Sequence, residues 1–171
     1  MRRQIYILGL ALTLLTYFLI PSGNAVTLMN GKTYFDQVPQ LGDAYSTQKA
    51  VNVSGAIYYF KVTIPKDAGE TLQKVEIKQF RASDDVNFDL DESQSGIAIT
   101  IAPDKTVTVT FNPPIPAGET IDIKLRPERN PRYGGIYLFG VTAFPEGDDP
   151  HGQFLGFGRL IFYEGSTLSN Y

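Results

Sequence analysis

From residue 56 onward, hydrophobic and polar positions alternate with a period of two. In AIYYFKVTI (56–64), Ala56, Tyr58, Phe60, Val62 and Ile64 share one face, and Ile57, Tyr59, Lys61 and Thr63 share the other. KVEIKQF (74–80) sets Val75 and Ile77 against Lys74, Glu76 and Lys78. GIAITIA (96–102) aligns Ile97, Ile99 and Ile101, and TVTVTF (106–111) sets Val107, Val109 and Phe111 against three threonines. TIDIKLR (120–126) aligns Ile121, Ile123 and Leu125 against Thr120, Asp122, Lys124 and Arg126. Each reads as a strand with one face on a core and one in water. IYLFGVTAF (136–144) and FLGFGRLIFY (154–163) differ in being apolar on both faces, which predicts strands covered on both sides.

Turn residues separate these runs: Pro65 to Gly69, Ala102 to Lys105, and NPPIPAG from Asn112 to Gly118. Residues 66–73 are compatible with one helical turn. Seven short strands with Gly/Pro turns and almost no helical period predict an all-β fold, an immunoglobulin-like β-sandwich of about seven antiparallel strands. A closed barrel is the alternative. Residues 26–55 show no strong period and are expected to be irregular, apart from a short strand near Lys32 to Phe35. The sandwich domain is then expected over 56–171.

The N-terminus changes the setting. Arg2 and Arg3 precede sixteen uncharged residues, Ile5 to Ile20, followed by Pro21, Gly23 and Ala25. That order is a secretory signal peptide, with cleavage expected after Ala25. The alternative, an anchor kept in the membrane, wants about 20 apolar residues. Cleavage moves the net charge from −3 to −5. An acidic exported chain is a poor partner for nucleic acid or an anionic membrane surface. It has no cysteine, so disulfides, thiolate metal sites and lipid attachment are excluded. Asn52-Val53-Ser54 fits the N-glycosylation pattern, which matters only in a eukaryotic secretory pathway.

Four stretches carry candidate chemistry. FPEGDDPHGQF (144–154) holds the one histidine, His151, with Glu146, Asp148 and Asp149. Such a set can ligate calcium, zinc or copper, although a solvated turn between two strands accounts for it more simply. DDVNFDLDE (84–92) begins like a calcium loop, but Leu90 stands where a glycine is needed and Gly96 where a glutamate is needed. A solvated strand face is the simpler reading. The speculative metal set is therefore Asp89, Asp91, Glu92 and His151, with calcium as the cofactor it would admit.

RPERNPRYGG (126–135) spaces Arg126, Arg129 and Arg132 three apart, beside Tyr133. Arginines grip carboxylates, phosphates or acidic sugars in bidentate fashion, and tyrosine stacks on sugar rings. Pairing of these arginines with the chain's own acids is the plainer reading. Lastly, Tyr137, Phe139, Phe144, Phe154, Phe157, Phe162 and Tyr163 crowd the last two strands. A buried subset would be core and an exposed subset a docking patch.

No nucleophile elbow, P-loop, G-x-G-x-x-G or H-E-x-x-H motif occurs, and any Ser–His–Asp triad would have to use His151. A carboxylate pair brought together in space stays open as a hydrolase site. The expected function is a non-catalytic exported module that binds a protein, glycan or envelope component through Arg126, Arg129, Arg132 and Tyr133. A periplasmic calcium or transition-metal binder comes second and a carboxylate hydrolase third.

The segments YYFKVTIPKDAGETLQKVEIKQ, NFDLDESQ, FNPPIPAGETIDIKLRPERNPRYGGIYLFGVTAFPEG and GQFLGFGRLIFY together resemble an uncharacterised family of secreted cyanobacterial proteins, a domain of unknown function, over roughly 56–163. The resemblance implies a cyanobacterial source and export to the periplasm or beyond. It implies no activity and assigns no functional residue. It also implies relatives with a longer connection between Gly96 and Thr106. A looser similarity, in the PAG turn before a strand, links the chain to small exported copper-carrier sandwiches. Those use a histidine at the mature N-terminus, which VTLMN lacks, so that similarity concerns architecture alone.

Overall fold

A computed structural model describes residues 26–27, 31–80, 84–89 and 96–164. The strands are β1 (Val26–Thr27), β2 (Thr33–Tyr34), β3 (Gln40–Ser46), β4 (Tyr58–Thr63), β5 (Leu72–Phe80), β6 (Phe88–Asp89), β7 (Ile97–Ile101), β8 (Val107–Ile115), β9 (Thr120–Pro127), β10 (Gly135–Pro145) and β11 (Gln153–Phe162). No helix occurs among the described residues. The turn after Pro65, closed by Ala68 N–H donating to Pro65 O at 3.2 Å, leads straight into β5.

Two antiparallel sheets pack face to face. One has the order β3-β4-β9-β6 and the other β11-β10-β5-β8-β7, while β1 and β2 form a small ribbon of their own. The molecule is thus a β-sandwich. Its sheets follow the A-B-E-D and G-F-C order of immunoglobulin domains, with β8 and β7 added beyond the C position. A further mark of that fold is present. The buried Tyr137, near the start of the F-type strand β10, donates its hydroxyl to Tyr133 O at 3.0 Å.

The alternation seen in the sequence supplies the core. Tyr58, Phe60 and Val62 from one sheet meet Val75, Ile77, Val107, Val109, Phe139 and Val141 from the other, all buried. Aromatic edges fill the middle. Tyr58 and Phe60 stand edge-on to Phe139 at 5.9 and 5.7 Å, and Tyr137 edge-on to Phe162 at 5.5 Å.

Two expectations need correcting. Residues 26–55 are not irregular throughout, because β3 forms the edge of the four-stranded sheet. Its pairing with β4 shifts register between Leu41 and Ala44, and this bulge breaks the period of two that would have revealed the strand. The second correction concerns β10. It lies inside its sheet, between β11 and β5, yet only its inner face is fully covered, and Leu138, Gly140, Thr142 and Phe144 on the other are half-buried. Tyr137, Phe139, Val141 and Ala143 are buried, while Ile136 on the opposite face is 51% exposed.

Candidate functional site

The loop between β9 and β10 is built around Asn130, which is 2% exposed. Its Oδ1 accepts from the Tyr58 hydroxyl at 2.9 Å, and its Nδ2 donates to Gln48 O and Ala50 O at 3.0 and 2.8 Å. Its backbone N–H donates to Val53 O, and Asn52 N–H donates to Pro131 O. Burial raises the Tyr58 hydroxyl above its ordinary range, with Tyr137 adding to the effect, so this hydroxyl stays a donor. The loop is a fastener that ties residues 48–53 to the end of the sandwich.

On its outer side the loop carries Arg129, Arg132 and Tyr133, and Arg126 lies just before it on β9. All are exposed, Tyr133 by 51%. Arg132 is held by Asp84 through Nη2 to Oδ1 at 3.1 Å and Nε to Oδ2 at 3.3 Å, and its backbone N–H donates to the same carboxylate at 2.8 Å. These bonds hold the Asp84 carboxyl below the usual range, the Arg132 side chain contributing most. Arg129 donates from Nη1 to Asn52 Oδ1 at 3.1 Å, and Arg126 faces Asp89 across the β9–β6 ladder. Asp84, Asp85, Asn87, Glu128, Arg129 and Arg132 line a polar cleft of about 280 Å³. The fold brings Arg129, Arg132 and Tyr133 to one place, but it supplies the two arginines with internal acceptors.

Of the speculative metal residues, the two that are described, Asp89 and His151, lie far apart. Asp89 is exposed beside that loop. His151 lies at the opposite end of β10, where its ring sits 4.6 Å from Tyr34 and its backbone N–H donates to Thr33 O. Asp91 and Glu92 lie outside the described residues. Among the described residues no three His, Asp or Glu side chains group as a metal site. Asp149 O accepts from Thr33 N–H and Glu146 Oε2 accepts from Thr71 Oγ1 at 2.8 Å, so the 146–152 connection is tied to β2 and to the start of β5.

Asp36 and the buried Glu70 sit together. Asp36 N–H donates to Glu70 Oε2 at 2.8 Å, and Asp36 Oδ1 accepts from Gln37 and Gly69 N–H. The Gly69 amide, then the Glu70 side chain, lower the Asp36 carboxyl. This pair caps backbone amides and lines neither the polar cleft nor the groove described next.

Two further features were hidden in the sequence. The first is an apolar groove of about 460 Å³ along the flank between β7 and β9, lined by Ile97, Ile99, Phe111, Pro114, Ile115 and Ile121 among others. The second is an aromatic face on the outside of the five-stranded sheet. Register places Phe80 beside Leu138, Lys78 and Phe157 on either side of Gly140, and Phe154 beside Thr142. Phe157 lies 5.2 Å from Phe80 and 5.1 Å from Phe154, ring centre to ring centre. A Cβ on Gly140 would stand 3.3 Å from the Phe154 ring, so the glycine is the floor on which the rings lie. Phe80, Phe154 and Phe157 are 47, 56 and 46% exposed. The useful signal was the run of apolar residues on both faces of 136–144, read as full burial when one of those faces is only half-buried.

A search of curated proteins finds no match for this chain. A family model described as "Protein of unknown function (DUF2808)" matches residues 32–162, a span that takes in β3 as well as every strand from β4 to β11. The chain belongs to the DUF2808 family, whose function is unknown.

Proposed function

We propose that this domain is a non-catalytic, exported interaction module that docks an envelope or extracellular protein through the outer face of β5, β10 and β11. One observation carries the reading: on the outer face around β10, Phe80, Phe157 and Phe154 touch ring to ring and each stays about half exposed. Contiguous exposed rings of this kind are rare on monomeric proteins and mark contact surfaces. The ring planes are tilted to one another by 39° and 69°, which suits packing against side chains better than a flat sugar. Arg159, on the same face as Leu138 and Phe157, has no hydrogen bond or ion pair among the described residues. It asks for a carboxylate on an otherwise apolar partner surface. The arginine–tyrosine loop supports the scaffold and is the weaker candidate, since Asp84 and Asn52 already engage Arg132 and Arg129.

Site-specific photo-crosslinking in the producing cell tests this. A crosslinker at Phe157 should yield one reproducible protein adduct. One at Thr108, on the threonine side of the same face, should yield none. Equal labelling from both positions, or none from either, would remove the proposal.

A further inference from the structure

β7 is the edge of the five-stranded sheet, and it differs from the other edges. The opposite edge, β11, lies against β3, with Gly158 close to Ala44. The β3 edge carries Asp43 and a bulge, and β6 is two residues long. These are the usual protections against strand addition. Among the described residues β7 has none of them. It reads Ile-Ala-Ile-Thr-Ile, without charge or proline, and pairs with β8 in unbroken register from Ile97↔Phe111 to Ile101↔Val107. Its isoleucines are half-buried on the core side and Ala98 and Thr100 are exposed on the other.

We propose that the β7 edge pairs with β7 of a second copy, antiparallel about a two-fold axis through Ile99, to make a continuous ten-stranded sheet. This goes beyond the docking function and uses the opposite side of the sheet. The strand is complementary to itself. In that register Ile99 meets Ile99, Ile97 meets Ile101, and Ala98 meets Thr100, so every isoleucine stays on the core side. No charge of one β7 opposes a like charge of the other. The two apolar grooves open on this same flank, so strand pairing sets them mouth to mouth and covers Ile97, Ile99 and Ile121. A five-residue ladder with two shallow groove lips falls short of the roughly 1,200 Å² that stable interfaces bury, so the dimer is a weak one that forms only at high protein concentration.

Sedimentation equilibrium of the purified protein from about 5 μM to about 1 mM tests the pairing. The mass should rise from one chain to two. Ala98→Lys with Thr100→Lys opposes lysines across the axis and should weaken the dimer at least about tenfold. Ala98→Lys with Thr100→Glu opposes lysine to glutamate and should restore it. Both positions are exposed, so the urea midpoints of these variants should match the parent and verify folding. Phe157→Ser should leave the dimer unchanged, which separates this inference from the docking function. A monomer at every concentration, a dimer indifferent to the double lysine, no recovery with the glutamate, or a dimer lost in Phe157→Ser would each overturn it.

Discussion

Along the flank where β3 meets β11, a Cβ on Gly158 would stand 2.6 Å from the Phe60 ring and 3.0 Å from Ala44 Cβ, and Leu41 reaches toward Gly156. Small residues let the two sheets touch there, and Asn130 and Tyr163 tie residues 49–53 across the end. Along the opposite flank, between β7 and β9, branched side chains and the 113–116 proline segment hold the sheets apart around the apolar groove. Both flanks are made by strands that turn apolar side chains toward the same core. What separates them is side-chain size at the facing edges: glycine and alanine close a sandwich, whereas isoleucine and proline leave it ajar for another chain.

The strongest test of that contrast is Gly158→Val, which forces a branched side chain into the Phe60 ring. It should cost about 3 kcal/mol in urea unfolding. A loss near zero would mean that the closed flank is not tightly packed. Asn130→Ala should follow, at about 2 kcal/mol, because it strands the Tyr58 hydroxyl and two carbonyls. Loss of only the loop's protection in hydrogen exchange, with global stability intact, would show that the fastener acts locally.

Acid should reveal the Asp84–Arg132 pair. The Asp84 carboxyl is depressed in the folded state, so its contribution is present above the unfolded value of about 3.9 and is lost as pH falls through the lower folded value. Arg132 is largely exposed, so solvent screens the pair and keeps the effect small. Asp84→Asn should flatten the pH dependence of urea stability below about pH 4. An unchanged slope would remove the pair from the account. Smallest of all, Ile121→Phe adds volume to the open groove and should shift stability by less than about 1 kcal/mol, against the large loss from Gly158→Val. Comparable losses would erase the difference between the flanks.

The strands of the core were legible because burial on one face imposes a period of two, and Tyr58, Phe60, Val75, Val109 and Ile123 all lie inside, as that period places them. β3 was not legible, because its bulge moves Ala44 out of step with Leu41. The arginine loop was visible as chemistry, but its partners Asp84 and Asn52 lie 48 and 77 residues away and no local pattern joins them. The aromatic face was the hardest to see. Phe139 and Phe157 are equally apolar, and only the second sheet decides which of them is covered.

The position of β11 has a consequence for how the protein is made. Leu160 and Phe162 complete the core, Gly158 seats Phe60, and the backbone of Tyr163 holds Lys49 and Val51, more than a hundred residues earlier. The first strand of the sandwich therefore waits for the last. Such long-range pairing slows folding, so a nascent chain emerging from the ribosome carries its future core incomplete until β11 appears.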